Sequence, residues 1–266
     1  MKRSEYSQII KLAKRALEDY QNWGEDEIYK ESAVEAPAEK PCRKPAKENT
    51  FSLKQSGPAQ ELEALKKEAG KCRKCPLGAT RLNCVFGTGA ADADLMFVGE
   101  GPGFEEDHKG EPFIGKAGQF LTNLIKLMGY SRESVYIANI VKCHPMKDPS
   151  NPHLRANDRP PTEEEVAECS KYLEAQISII KPKVIVTLGR PSAGYFFGES
   201  VVMGAVRGKF RQYKGIKLMP TYHPSYLIRN GCIFGKKDQS PQITKMKKEV
   251  WSDLKKVMHY LKTGEI

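Results

Sequence analysis

The stretch that decides the fold is residues 98–124, VGEGPGFEEDHKGEPFIGKAGQFLTNL. It continues an apolar run that begins at Leu95, and it carries six glycines and two prolines before helical periodicity begins at Phe120. This pattern predicts a strand, a loop and a helix, as in an α/β protein. In an open parallel sheet the ligand crevice lies outside the carboxyl ends of the strands. We therefore expect the functional site in this loop, with Glu100 and Phe113 as its first candidates.

Three further apolar runs have the length of a strand, at residues 135–141, 184–188 and 216–222. Helical patterns separate the runs. One of these helices should begin at a capping box, Thr162 to Glu165, and end before Lys181 and Pro182. The alternation predicts an α/β fold with a central four-stranded, mainly parallel sheet flanked by helices.

Composition divides the 266 residues into two parts. Residues 59–266 form the predicted domain, and the hydrophobic content of 39% supports a real core. Residues 1–58 read as an amphipathic helix followed by a flexible linker rich in Pro, Glu and Lys, with no indicated partner.

Charge and hydropathy restrict the function classes. Lys and Arg number 43 against 33 Asp and Glu, a net charge of +10 that suits a polyanionic partner such as nucleic acid, or simply a basic protein. No apolar run approaches the ~18 residues of a membrane span. The N-terminus lacks the apolar core of a signal peptide, so we expect a cytoplasmic protein that does not bind a membrane.

Because disulfides are rare in a reducing compartment, we expect the seven cysteines to be metal ligands, catalytic groups or buried apolar residues. Cys72 and Cys75 form a C-x2-C pair, Cys143 follows the second predicted strand, and Cys169 lies on the next helix. Four thiolates suit either zinc or a [4Fe–4S] cluster, and spacing does not decide between them. Alternatively, Cys143 and Cys169 are ordinary buried cysteines.

Several longer motifs occur together: CRKCPL (72–77), GEGPGFEEDHKGEPFIGKAG (99–118), NIVKCHP (139–145), KPKVIVTLGR (181–190) and TYHPSYLIRN (221–230). In this order they resemble the iron–sulfur uracil-DNA glycosylases known as family 4. The resemblance covers roughly residues 59–262. The chain departs from the family pattern at Gly101, where alanine is usual, and in a longer segment between Cys143 and Cys169.

The resemblance implies a monomeric, monofunctional glycosylase acting on uracil-containing DNA. It would flip uracil out of the helix and hydrolyse its N-glycosidic bond, leaving an abasic site. The resemblance further implies a structural [4Fe–4S] cluster on Cys72, Cys75, Cys143 and Cys169, with zinc as the alternative.

Transferred motif by motif, the resemblance gives each candidate residue a role. Phe113 would stack on the flipped base, Asn139 would pair with its polar edge, and His223 would donate a hydrogen bond to uracil O2. Glu100 would place a carboxylate at the sugar. Three more residues would line the uracil pocket: Gly101, Gly103 and Glu106. Glu106 would exclude the thymine methyl group or would be merely solvated.

The TYHPSYLIRN segment and two basic residues would contact DNA. Ser225 would contact phosphate, while Leu227 and Arg229 would press into the space left by the flipped nucleotide. The alternative is that Leu227 packs inward at a helix start. Arg190 and Lys142 would add phosphate contacts.

Three rival functions remain open at this stage. One is a non-catalytic nucleic-acid-binding module on the same scaffold. Another is a relative that forms a covalent adduct with uracil-DNA. The loop at residues 146–161, which would distinguish the adduct-forming group, has His153 and Arg155 but no consecutive basic run. The third is a zinc-ribbon protein.

Overall fold

A six-stranded sheet crosses the part of the chain that the computed structural model describes, residues 57–198, 200–234 and 240–266. In chain order the strands are β1 (Thr88–Gly89), β2 (Leu95–Gly99), β3 (Tyr136–Asn139), β4 (Val184–Leu188), β5 (Arg211–Tyr213) and β6 (Ile216–Thr221). Their spatial order is β1-β3-β2-β4-β6-β5. The predicted N-terminal helix and linker lie outside the described residues, apart from Gly57 and Pro58.

The predicted parallel core of four strands is confirmed. Strands β3, β2, β4 and β6 pair in parallel, with register pairs such as Phe97↔Ile137 and Phe97↔Val186. The sheet nevertheless has two strands more than expected, because β1 and β5 add antiparallel edges. These edge strands have only two and three residues, too few to carry a recognisable alternation.

Helices cover both faces of the sheet, as predicted. They are α1 (Pro58–Lys71), α2 (Leu77–Thr80), α3 (Phe104–Lys109), α4 (Lys116–Leu127), α5 (Glu163–Ile180), α6 (Gly189–Phe197), α7 (Met203–Val206), α8 (Pro224–Arg229) and α9 (Pro241–Thr263). Leu95 and Phe97 of β2 join the core beneath α4 and α9, whereas Met96 and Val98 join the core beneath α5. None of the helices in the described ranges is long and apolar enough to cross a membrane.

Helix boundaries follow local chemistry. The predicted capping box of α5 is present: the backbone N–H of Glu165 donates to Thr162 Oγ1 at 3.2 Å, and the Glu165 carboxylate accepts from the backbone N–H of Thr162 at 2.8 Å. Helix α4 begins at Lys116, before the apolar periodicity begins at Phe120. Helix α3 is an additional short helix within the loop that follows β2.

The four parallel strands end at one edge of the sheet. There Glu100 follows β2, Asn139 is the last residue of β3, Arg190 follows β4 by two positions and His223 follows β6 by two. The fold thus brings side chains from four separate motifs to the same edge.

Candidate active site

A cleft of about 300 Å³ opens at this carboxyl edge. It is bounded by the loop after β2, the end of β3, the segment around residues 158–161 and the start of α8. Its lining includes the following residues that the sequence singled out: Glu100, Gly101, Gly103, Glu106, Phe113, Asn139, His223, Ser225 and Arg229.

Asn139 brings an unpaired polar atom to the cleft. Its side chain is 1% exposed, and its Oδ1 has no hydrogen-bond partner among the described residues. A Cβ at Gly99 would lie 2.5 Å from both Asn139 Oδ1 and the Phe113 ring. The missing side chain at Gly99 is therefore what lets the amide and the ring lie together. A buried acceptor in this state is costly unless a ligand satisfies it.

Phe113 is held in an unusual backbone conformation, with φ of 52°. The Arg132 guanidinium secures it, donating to the carbonyl of Phe113 at 3.0 Å and to that of Pro112 at 2.7 Å. A Cβ at Gly118 would overlap the Phe113 backbone, so α4 packs against it only because residue 118 is glycine. Sequence reasoning missed Arg132, because it lies beyond the motif and nothing in its own neighbourhood marks it.

His223 is oriented by the first turn of α8. Its Nδ1 accepts a hydrogen bond from the backbone N–H of Ser225 at 3.1 Å, so the proton of the neutral ring lies on Nε2. Burial, with the Arg229 charge adding to it, lowers the pKa of His223 to about 4. The ring is therefore neutral at pH 7, with its centroid 5.8 Å from that of Phe113.

Ser225 and Arg229 support His223 from within α8. Ser225 Oγ lies 2.7 Å from His223 Nδ1 and accepts a hydrogen bond from Arg229 Nη1 at 3.1 Å. The hydroxyl predicted to contact phosphate is thus already engaged within the helix.

The predicted wedge role of Leu227 is corrected by the structure. Leu227 is 0% exposed and belongs to the core between the sheet and α9, since its position on α8 faces inward. The exposed aromatic residue of the segment is Tyr226, 39% exposed, with its ring centroid 5.1 Å from that of Tyr222.

Glu100 lies between two clefts. A second cleft of about 650 Å³ shares Glu100 and His223 with the first and contains Arg190. Burial raises the pKa of Glu100 above its ordinary value, and the Arg190 charge partly opposes this rise. Arg190 is exposed at the start of α6, in a position where it can meet an anion.

Glu106 binds two glycine-rich segments together. Its Oε2 accepts from the backbone N–H of Gly103 at 3.2 Å, while Oε1 accepts from Ile114 and Gly115 at 2.9 and 3.0 Å. The side chain is therefore part of the cleft wall rather than freely solvated.

The loop at residues 146–161 forms one wall of the cleft. His144 Nε2 lies 2.6 Å from Asp158 Oδ1. Burial alone would lower the pKa of His144, but the carboxylates of Asp107 and Asp158 raise it to about 9. Arg159 anchors the same loop to α5 by a bidentate pair with Glu165, at 2.8 and 2.7 Å. Sequence reasoning assigned no role to His144, because its two carboxylate neighbours are distant along the chain.

The four cysteines named from the sequence line one cavity, on the side of the sheet covered by α1 and α5: Cys72, Cys75, Cys143 and Cys169. Arg81 Nη1 donates to Cys143 Sγ at 3.0 Å, and the backbone N–H of Lys142 donates to Cys169 Sγ at 3.1 Å. Four cysteines with nearby N–H donors match the donor set of zinc or an iron–sulfur cluster. Nevertheless, no group of three or more His, Cys, Asp or Glu side chains within residues 57–198, 200–234 and 240–266 is arranged to hold a metal ion.

Lys142 does not contact phosphate as the sequence suggested, because it is 1% exposed. Its ammonium donates to the Asn139 carbonyl at 2.7 Å and to Gln176 Oε1 at 2.6 Å. Its side chain also lines the cysteine cavity. One buried side chain thus connects the cysteines to the strand end that carries Asn139.

Comparison with known proteins agrees with this geometry. The model of the uracil DNA glycosylase superfamily matches residues 86–255, which include the whole cleft. The chain belongs to the uracil-DNA glycosylase superfamily. The type-4 uracil-DNA glycosylase of Thermotoga maritima is 46% identical over 171 residues, covering 64% of this chain and 84% of that protein. Those of Sulfurisphaera tokodaii and Saccharolobus solfataricus are 45% and 43% identical over 178 residues, covering 64% of this chain and 76% and 78% of theirs. The resemblance to family 4 is thereby confirmed.

Proposed function

We propose that the protein is a monofunctional uracil-DNA glycosylase, whose catalytic domain spans residues 59–266 and acts as a monomer. It flips uracil out of DNA and hydrolyses the N-glycosidic bond, leaving an abasic site. The observation that carries this proposal is the unpaired Oδ1 of Asn139, buried in the cleft beside the Phe113 ring. The type-4 glycosylase relatives support the same reaction.

Asn139 distinguishes uracil from cytosine by its amide. Its oxygen accepts from uracil N3–H, and its NH₂ group donates to uracil O4. Cytosine presents an acceptor and a donor at the same two positions, so both hydrogen bonds would be lost and buried polar groups left unpaired. A site of this kind rejects the wrong base strongly.

Phe113 supplies the surface on which the base rests. Stacking on an aromatic ring contributes about 1–3 kcal/mol per base. This helps to offset the few kcal/mol needed to unstack the nucleotide. Gly101 and Gly103 bring backbone close to the base, and Glu106, fixed by its three backbone donors, excludes the thymine methyl group.

His223 and Glu100 act on the two charges that develop as the glycosidic bond breaks. The neutral His223 ring donates from Nε2–H to uracil O2 as the departing base becomes negative, which stabilises the transition state more than the ground state. The Glu100 carboxylate offsets the positive charge on the sugar and positions the attacking water.

Exposed cations beside the cleft hold the DNA backbone. Arg190 and Arg229 both line the second cleft, together with Glu100. Ser225 adds a phosphate contact only by exchanging a hydrogen bond that it makes within α8. Contacts of this kind position the duplex without reading its sequence.

We further infer that four cysteines would hold a [4Fe–4S] cluster: Cys72 and Cys75 from the segment before α2, Cys143 from the loop after β3 and Cys169 from α5. The cluster would supply a covalent connection among these segments rather than a chemical step, since hydrolysis needs no electron transfer. The common cavity and the two N–H donors to sulfur support this assignment.

The reaction is tested with a purified protein and an oligonucleotide that contains one uracil. Alkali should break the strand at uracil only after incubation with the protein, whereas a cytosine-containing strand should remain intact. Absence of breakage at uracil would refute the proposal. A shifted band on a denaturing gel before alkali would instead identify an adduct-forming relative.

The metal is tested separately by spectroscopy and elemental analysis. A [4Fe–4S] protein absorbs near 400 nm and contains about four irons per chain. A colourless protein with one zinc per chain would overturn the iron–sulfur assignment while leaving the proposed reaction intact.

A further inference from the structure

A basic cleft of about 770 Å³ lies beside the catalytic edge and is not used by the proposed reaction. It is formed between the turn at Gly208 and the amino-terminal part of α9. Five cationic side chains line it: Arg207, Lys209, Lys245, Lys248 and Lys256.

The charges in this cleft are only partly balanced. Arg207 pairs with Asp253 at 2.6 Å and approaches Glu249 at 3.7 Å, and Lys256 donates to the Gly208 carbonyl at 2.7 Å. By contrast, none of the ion pairs formed among the described residues includes Lys209, Lys245 or Lys248. All three lysines are exposed.

Two of these lysines share one face of α9. Lys245 and Lys248 are three positions apart, and residues at this spacing are neighbours on a helix surface. Like charges placed so destabilise an isolated helix. A polyanion bound across this face would remove the repulsion.

The basic cleft adjoins the catalytic edge through direct contacts. The backbone N–H of Gly208 donates to the carbonyl of Pro220 at 3.0 Å, and Asp253 accepts from Thr221 Oγ1 at 2.8 Å. The Arg207 guanidinium lies 5.4 Å from the centroid of the Tyr222 ring. Tyr222 in turn lines the second cleft with His223.

We infer that this basic cleft binds the phosphates of the DNA strand flanking the flipped nucleotide, through Lys209, Lys245 and Lys248. The inference rests on the proposed function, since it takes DNA to be present at His223. Lys245 and Lys248 are separated by about 4.5 Å along α9 at 1.5 Å per residue. That separation is close to the axial rise of about 3.4 Å between adjacent phosphates of one strand. The cleft thus extends the protein's contact surface along the DNA phosphate backbone without adding contacts to bases.

The test compares the wild-type protein with the double variant Lys245→Gln/Lys248→Gln, which removes two exposed charges and leaves the catalytic cleft unaltered. Binding to undamaged duplex DNA is measured by fluorescence anisotropy from 50 to 200 mM salt. Loss of two phosphate contacts should make the slope of log K against log salt shallower by about 1.8. Equivalently, the wild-type affinity should fall about 12-fold more than that of the variant over this range.

A second pair of lysines provides a matched control. Lys66→Gln/Lys67→Gln removes the same charge from exposed positions on α1, and should leave the slope at its wild-type value. A slope for Lys245→Gln/Lys248→Gln that equals the wild-type slope, or a control pair that lowers it equally, would overturn the inference.

Measuring excision kinetics and DNA binding separately distinguishes this inference from the proposed reaction. With a duplex of about 30 base pairs, the Lys245→Gln/Lys248→Gln variant should show a raised KM for uracil excision and an unchanged kcat. An unchanged KM on that duplex would contradict the inference. A protein that excises no uracil from any substrate, yet shows the predicted change in binding slope, would refute the proposed reaction and leave the basic cleft established.

Discussion

Asn139 carries the strongest single indication of a ligand, because its buried Oδ1 is left without a partner at the end of β3. Its neighbours cannot satisfy it, since Gly99 offers no side chain and Phe113 offers only a ring. In the proposed function, the correct base would remove the desolvation cost of this buried acceptor. Under the proposed function, specificity at this residue would depend on two hydrogen bonds whose directions are set by its place at the end of β3.

Replacing Asn139 with alanine should lower kcat/KM for uracil about 100-fold. Two lost hydrogen bonds, at about 1–1.5 kcal/mol each, correspond to a change of this size. Steady-state kinetics on a uracil-containing duplex measure it, with Asn151→Ala, on the exposed part of the loop, as the control. A value within threefold of wild type would remove Asn139 from base recognition.

The acid limb of the pH–activity profile should belong to Glu100 rather than His223. His223 becomes cationic only near pH 4, whereas burial raises the pKa of Glu100 above its ordinary value, with Arg190 opposing. As pH falls, Glu100 is thus protonated first, and kcat/KM should fall tenfold per pH unit below its pKa. In His223→Gln the activity should be lower throughout while the limb keeps its position. A limb that disappears in that variant would assign it to His223 instead.

At the scale of elements, the loop between β2 and α4 is rigid because other elements over-determine it. Glu106 of α3 accepts hydrogen bonds from the backbone on both sides of α3, at Gly103 and Ile114. Arg132, which follows α4, donates to the carbonyls of Pro112 and Phe113. Positive φ at a residue with a side chain costs free energy, and it persists only where surrounding contacts compensate. These contacts therefore hold the Phe113 ring, which we propose stacks on the base, in place without a bound nucleotide.

Arg132→Gln should lower kcat/KM at least tenfold, although the Arg132 side chain does not line the cleft. Hydrogen bonds to a charged group contribute about 1.5–3 kcal/mol. Because the proposed route from Arg132 to the substrate passes through Phe113, its effect on kcat/KM should largely vanish when Phe113 is already alanine. A double-mutant cycle would show this non-additivity. Additive losses in the Arg132→Gln/Phe113→Ala double variant would show that Arg132 acts by another route.

The elements that sequence predicted well are those with long local signals. The four parallel strands are continuous apolar runs, and a capping box marks the first turn of α5. The edge strands β1 and β5 were missed because they are held by pairing with distant residues rather than by their own composition. Leu227 was misplaced for a related reason: a motif fixes which residues are present, but the packing of α8 on the core decides which of them faces outward.

At the scale of the whole molecule, the cleft and the cysteine cavity are two parts of one buried network. Asn139 ends β3 and Cys143 lies four positions beyond it. Lys142, next to Cys143, donates to both the Asn139 carbonyl and Gln176 of α5. Gln176 itself donates to the Phe86 carbonyl and to Tyr136 of β3. These distant partners could not be read from the sequence, in which Lys142 looks like any basic residue beside a DNA-binding motif.

Lys142→Met should therefore destabilise the fold by about 2–5 kcal/mol, because two buried acceptors, the Asn139 carbonyl and Gln176 Oε1, lose their donor at once. Denaturant unfolding measures this change. Lys126→Met, at an exposed position of α4, is the control and should alter stability by less than about 0.5 kcal/mol. If the network also positions Asn139, the variant that remains folded should lose uracil excision in parallel with Asn139→Ala. Equal stability of the Lys142 and Lys126 variants would show that the Lys142 hydrogen bonds do not stabilise the fold.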